Sequence, residues 1–240
     1  MTRRVALFAT CLADQLWPEV AQATVSVLER AGCTVTFDPA QTCCGQPAFN
    51  SGFQVDARTV AKHFLDVFER AEAIVAPSGS CIAMVHRYPA LFAEEPAWQA
   101  RAKHVAERTF ELSSFLVREL GVTDVGARMT AKVAWHDACH GLRELGVRDE
   151  PRALLRAVRG LELVELQTSE ACCGFGGTFS VKFPELSTAM LDHKLKDLAA
   201  HPVDVLSAVD SSCLMQIRGR LQRQGSKVRA MHLAEILASR

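Results

Sequence analysis

Eight of the nine cysteines in this 240-residue chain fall into two matched sets of four, a pattern that constrains the fold more than any other feature of the sequence. The first set is Cys11, Cys43, Cys44 and Cys81; the second is Cys139, Cys172, Cys173 and Cys213. The lone cysteine precedes the adjacent pair by 32 residues in the first set and 33 in the second, and the pair precedes the last cysteine by 37 and 40. Glycine follows each pair, at Gly45 and Gly174. Spacing of this kind marks an internal duplication. Four soft thiolates gathered at one place suit an iron–sulfur cluster or zinc.

The segments around the cysteines overlay as well. Arg4-Val-Ala-Leu-Phe-Ala-Thr-Cys11 matches Lys132-Val-Ala-Trp-His-Asp-Ala-Cys139: a basic residue, an apolar run and a cysteine. Pro18 and Pro151 then suit a first helical turn. Val20, Val27 and Leu28 recur at helical spacing, as do Leu154, Leu155 and Val158. Gly32 and Gly160 are read as helix stops. Short apolar runs at Thr34 to Phe37 and Leu163 to Leu166 read as second strands. After each Cys-Cys-Gly comes another amphipathic helix, marked by Val60, Phe64, Val67 and Phe68 in one half. Leu186, Met190, Leu191, Leu195 and Leu198 mark it in the other. Third strands are expected at Ala73 to Ala76 and Val203 to Ala208, closing helices at Glu111 to Leu120 and Leu233 to Ala238, and a short fourth strand at Val228 to Met231.

Strand and helix alternate throughout, which implies parallel sheets with right-handed crossovers. The predicted architecture is α/β: two pseudo-twofold-related, doubly wound, Rossmann-like halves. The boundary falls between Gly121 and Thr130, giving repeats 1–125 and 126–240. A helical stretch at Glu94 to Arg108 has no counterpart in the second half.

In such a sheet the loops after strands one, two and three lie along one carboxyl edge, where ligands bind. That edge collects each cysteine set. Helices starting there present free N–H groups favourable to thiolates. Inert packing fits Cys33, a small buried hydrophobe. For the paired sets, a cluster or metal, a dithiol redox role through adjacent cysteines, and plain packing all remain open. His136 and His140 are candidate imidazole ligands or donors to ligands, and equally ordinary loop histidines. His86 fits a surface role better than a site role. Arg143 could balance site charge. Met84 and Met215 fit core packing, and Ser80, Ser211 and Ser212 fit helix caps.

Lys and Arg together number 27, as do Asp and Glu, so the formal net charge is zero. No basic run appears, which argues against nucleic acid or an anionic membrane surface as the main partner. The apolar run Val5 to Ala9 is too short to span a bilayer. After Arg3-Arg4 it reads as a buried first strand rather than an export signal, so the cytoplasm is the expected location. Stable disulfides are not expected there. No phosphate-binding loop, dinucleotide fingerprint or Gly-x-Ser-x-Gly occurs.

The segments Gln41-Thr-Cys-Cys-Gly-Gln-Pro-Ala48, Pro77-Ser-Gly-Ser-Cys81, Cys172-Cys-Gly-Phe-Gly-Gly-Thr-Phe179 and Cys213-Leu-Met-Gln-Ile-Arg-Gly-Arg-Leu221 carry a resemblance over essentially the whole chain. They resemble the tandem cysteine-rich CCG-domain family, found in heterodisulfide reductases, in the iron–sulfur component of glycolate oxidase and in anaerobic glycerol-3-phosphate dehydrogenases. The resemblance implies an iron–sulfur electron-transfer subunit of a system oxidising L-lactate, or a related 2-hydroxy acid, to the 2-oxo acid. Its implied partners are a ferredoxin-like iron–sulfur protein and a small companion subunit. The implied ligands are the eight cysteines, holding four-iron clusters, with zinc as the alternative. One departure stands out. The reductase relatives end each set in Cys-x-x-Cys, whereas here Met84 and Gln216 take the second cysteine's place, leaving four cysteines per set.

Overall fold

The apolar runs at the head of each repeat become the central strands of two parallel sheets. The computed structural model describes residues 2–240. Strands β1 (Arg4–Leu7), β2 (Thr34–Thr36), β3 (Ile74–Ala76) and β4 (Thr109–Glu111) lie in the order β2-β1-β3-β4. Strands β5 (Arg128–Trp135), β6 (Arg159–Val164), β7 (Val205–Ala208) and β8 (Arg229–His232) lie in the order β6-β5-β7-β8. Ala6 pairs with Thr36 on one side and Ile74 on the other, and Ala134 pairs likewise with Val164 and Leu206. In each half the winding reverses beside the first strand, between β1 and β3 and between β5 and β7. The fold is therefore α/β with two similar doubly wound halves, and each switch point opens a crevice at the carboxyl edge.

The helices bury the faces their periodicity marks. Pro18–Arg30 starts on its proline and buries Val20, Thr24, Val27 and Leu28. Gln54–Phe68 buries Ala57, Ala61, Phe64, Leu65 and Phe68, and Pro184–Ala199 buries Ser187, Leu191, Lys194, Leu195 and Leu198. The unmatched helix, Pro96–Ala106, packs on Gly79–Leu91 and Gln54–Phe68.

The halves exchange their closing helices. Leu233–Ala238, at the end of the second half, packs against Pro18–Arg30 of the first, and Arg30 Nη2 donates to Leu237 O at 2.8 Å. Reciprocally, Leu112–Ser114 and its wider-wound continuation Phe115–Glu119 pack against Asp149–Ala157. One core consequently runs through both halves and includes Val5, Val27, Leu28, Phe115, Val133, Leu154 and Leu237, all fully buried. Each such side chain contributes about 1.5–3 kcal/mol by leaving water.

Three local expectations are corrected. Glu111 does not begin a helix. It ends β4, a strand hidden by its three-residue length, and its carboxylate accepts from Ser113 N and Ser114 N. Gly160 does not stop a helix: the helix ends at Ala157 and Gly160 lies inside β6 at φ 85°. It sits beside a register irregularity in β5, where a Cβ would meet Thr130 Oγ1 at 3.0 Å. The second strands also stop sooner than expected, and β6 starts earlier, leaving Phe37 exposed and Leu166 buried outside them. Among the described residues, no helix is long and apolar enough to cross a membrane.

Candidate functional site: one cavity faced by eight cysteines

The switch-point crevices of the two halves open toward each other. Cys11 and Cys139 are the first residues of the helices Cys11–Leu16 and Cys139–Leu145, shortly after β1 and β5. Cys81 and Cys213 occupy the first turns of Gly79–Leu91 and Ser211–Arg223, after β3 and β7. The Cys43-Cys44 and Cys172-Cys173 pairs sit in the loops that follow β2 and β6. All eight line a single cavity of about 420 Å³. Cys33 is not among them and packs in the core. Thr10, just before Cys11, is the one described non-glycine residue at positive φ (65°). Such strain clusters at functional sites.

Within each set the thiols form a chain of contacts. The Cys11 thiol donates to Cys43 Sγ at 3.6 Å, and the glycine after each pair donates its N–H to the pair's first sulfur, Gly45 to Cys43 and Gly174 to Cys172, both at 3.4 Å. Hydrogen bonds from Cys11 and then Cys44 hold Cys43 down to about 3, and those from Cys139 and Cys173 hold Cys172 down to about 2. The donors Cys11, Cys44, Cys139 and Cys173 are pushed well above the ordinary thiol value, first by the hydrogen bond each gives and then by burial. Cys213 is lowered to about 6, chiefly by a hydrogen bond from Cys173. Each set is thus poised to release protons when a cation takes their place, the usual linkage in thiolate metal sites.

The cysteine-pair loops are anchored differently in the two halves. Tyr88 Oη donates to Cys44 O at 2.7 Å in the first. In the second, Gln216 donates to Ser187 Oγ at 2.8 Å, and Ser187 donates to Gly174 O at 2.7 Å. Gln216 therefore braces the loop, and Met84 is buried in a second apolar cluster made by the first half, the packing role expected from sequence.

The histidines separate into distinct roles. His136 is fully buried, its Nδ1 is 3.2 Å from Ser169 O, and its Nε2 has no hydrogen-bond partner. One ligand atom each from His136, Cys173 and Cys213 lies within 4.8 Å of the others. His140 Nδ1 is 3.5 Å from Cys139 Sγ, and His140 lines the cavity. His86 meets Thr109 O at 2.9 Å; neither it nor His136 lines the cavity, but His136 stands beside the lining residues Cys173 and Cys213. Arg143 is exposed, and the cation behind the second set is instead Lys194, fully buried with Nζ on the carbonyls of Thr168 and Ser169. Sequence reading missed Lys194 because its position in an amphipathic helix looks like any lysine. It also missed Asp210, which reaches across the halves to Ser78 and Ser80. The helix cap is Ser78, not Ser80, and Ser211 Oγ has no partner. Beside the site, Arg152 grips Asp137 through two bonds of 2.8 and 2.7 Å, and Trp135 Nε1 donates to Asp137 at 2.8 Å. That buried network fixes the backbone between His136 and Cys139.

Duplicated doubly wound halves with a Cys-Cys-Gly loop facing one cavity define a class: the chain belongs to the cysteine-rich domain family termed CCG, whose model matches residues 5–86 and 133–218. Among individual proteins, it is 51% identical over 234 residues to lactate utilization protein A of Halalkalibacterium halodurans, covering 98% of this chain and 96% of that one. It is 48% identical to the protein of the same name from Bacillus subtilis, covering 99% of this chain and 100% of that one. Among solved structures, a glutamate racemase from Bacillus anthracis aligns with a TM-score of 0.38 and 13% identity, over 99% of this chain and 79% of that one.

Proposed function

We propose that the protein is the iron–sulfur electron-transfer subunit of a system that oxidises L-lactate, or a related 2-hydroxy acid, to the 2-oxo acid. The observation that carries this reading is the convergence of all eight paired cysteines on one cavity. Repeats 1–125 and 126–240 would each hold a four-iron centre, the first through Cys11, Cys43, Cys44 and Cys81. Cys139, Cys172, Cys173 and Cys213 would hold the second. Such centres take up and release single electrons. Oxidising lactate to pyruvate releases two electrons and two protons, so a pair of centres facing one space matches the electron count. The relatives named for lactate utilization support the substrate class. The chain acts as one component of that system rather than as a self-sufficient enzyme, with a ferredoxin-like iron–sulfur protein and a small companion protein as partners, in the cytoplasm.

A structural zinc reading is favoured by one distance: the 3.6 Å between the Cys11 and Cys43 sulfurs matches two thiolates on a single tetrahedral ion, where Zn–S is about 2.3 Å. Against it stands the continuous apolar core, which supports folding without a metal. Iron, sulfide and zinc analysis on anaerobically prepared protein separates the two. About four irons and four sulfides per site, lost in a Cys43→Ser/Cys172→Ser variant, is the expected result. Colourless protein carrying stoichiometric zinc, and unfolding when chelated, would establish the zinc reading instead.

A further inference from the structure

We infer that the two cysteine sites are chemically unequal: His136 is a fifth donor, through nitrogen, to the second centre alone, beside its four cysteines and backed by the buried ammonium of Lys194, so that this centre is reduced first. The inference rests on the electron-transfer reading above.

Matched backbone contacts identify the counterparts in the two halves. Phe8 N donates to Val75 O at 2.9 Å, and His136 N donates to Ser207 O at 2.8 Å, each one residue past a β1/β3 or β5/β7 pair. Phe8 and His136 thus occupy the same position. In the following helices, Ala57 O faces Gly45 as Ser187 O faces Gly174. The same step along each helix leads from Ala57 to Phe64 and from Ser187 to Lys194. In the first half Phe8 and Phe64 meet edge to face at 4.9 Å. In the second half an imidazole and an ammonium stand in their places, both fully buried.

A buried polar pair replacing an aromatic contact is costly unless something compensates it. A backbone carbonyl can only accept, so Ser169 O selects the Nδ1–H tautomer of the neutral His136 ring, the tautomer whose lone pair is on Nε2. Nε2 has no hydrogen-bond partner, and the nearest sulfur chemistry is that of Cys173 and Cys213, the latter lowered chiefly by Cys173 and in part by His136 itself. Metal-bound histidines are held this way, with the second ring nitrogen on a carbonyl. Lys194 Nζ shares the Ser169 carbonyl. Burial lowers Lys194 to about 8, against the pull of Cys173 and Cys213. An imidazole ligand and a nearby positive charge both favour the electron-rich state of an iron–sulfur centre. The first site has neither.

The test uses the full-length protein, loaded with iron and sulfide without oxygen and labelled with nitrogen-15 in histidine. Partial reduction should yield one centre with nitrogen hyperfine coupling in pulsed EPR, retained in His140→Ala and absent in His136→Phe. The His140 variant, at a half-exposed position, assigns the coupling even if the buried substitution fails to fold. In a potentiometric titration the nitrogen-coupled signal should appear first. Iron-loaded protein without the coupling, or with its nitrogen-coupled centre reduced last, overturns the inference and leaves the electron-transfer reading standing. If neither iron nor sulfide is taken up, that reading fails, and Co²⁺ added to the metal-free labelled protein decides the inference by itself. A His136-dependent nitrogen coupling to Co²⁺ upholds the donor assignment; thiolate-only coordination or no binding overturns it.

Discussion

Ser78 Oγ donates to Asp210 Oδ1 at 2.7 Å, although the two residues are 132 positions apart in the chain. They hold matched places in the duplication, each at the N-cap of the helix that carries the last cysteine of its set. The same carboxylate oxygen accepts from Ser80 N at 3.1 Å and Ser80 Oγ at 2.7 Å. One half therefore caps a cysteine-bearing helix of the other, across the cavity wall.

Replacing Asp210 should loosen that wall. Asp210→Ala strands three donors in a region where Asp210 itself is 2% exposed. The expected destabilisation is about 2–4 kcal/mol by chemical denaturation, with Asp210→Asn recovering part of it through its remaining oxygen. A loss below about 1 kcal/mol would show that the contact adds little.

The two Cys-Cys-Gly glycines should differ in tolerance. Both have positive φ, 83° at Gly45 and 79° at Gly174. A Cβ at Gly45 would meet nothing nearer than 3.4 Å, so Gly45→Ala should cost about 1–2 kcal/mol for the left-handed backbone alone. At Gly174 a Cβ would clash with Ser187 O, and the loop must move. Thermal melts of the two variants should rank Gly174→Ala well below Gly45→Ala, and equal melts would contradict the close approach.

Glu111 should make stability fall as pH rises. Burial, its largest influence, lifts this carboxyl to about 7 from 4.5, and Oε1 has no partner. The folded state then holds a proton that the unfolded chain releases above its lower value. Stability contributed by the protonated form is complete below about 4.5 and is lost as pH rises to about 7. Glu111→Gln removes that dependence. Between pH 4 and pH 8 its stability relative to the parent should shift upward by about 3 kcal/mol. A pH-independent difference would refute the buried-carboxyl account.

Thiol reactivity of the metal-free, reduced protein should follow the hydrogen-bond polarity within each set. Cys43 and Cys172 are held as thiolates and are part-exposed, whereas Cys44 and Cys173 are buried donors kept protonated. Alkylation at pH 6, mapped by mass spectrometry, should mark Cys43 and Cys172 first. Preferential labelling of Cys44 or Cys173 would reverse the assignment.

Legibility in the sequence tracked how local each signal is. The helices Pro18–Arg30, Gln54–Phe68 and Pro184–Ala199 were readable because a proline or a 3.6-residue apolar period marks them. The strand β4, three residues long, carries no period to detect. Gly160 misled because a glycine that ends a helix and one that bulges a strand look alike until the partner strand is in place.

The duplication, the parallel winding and the membership of eight cysteines in two sets were decided by the sequence itself, because repeated spacing and alternating periodicity survive without any knowledge of contacts. Only the tertiary structure brought the two sets to one cavity, exchanged the closing helices between halves, and placed His136 and Lys194 where Phe8 and Phe64 stand in the other half. Those features depend on which surfaces meet across long stretches of chain. A buried lysine or an unpaired imidazole nitrogen acquires its meaning from desolvation and neighbours, and neither is written in the residue's own position along the chain.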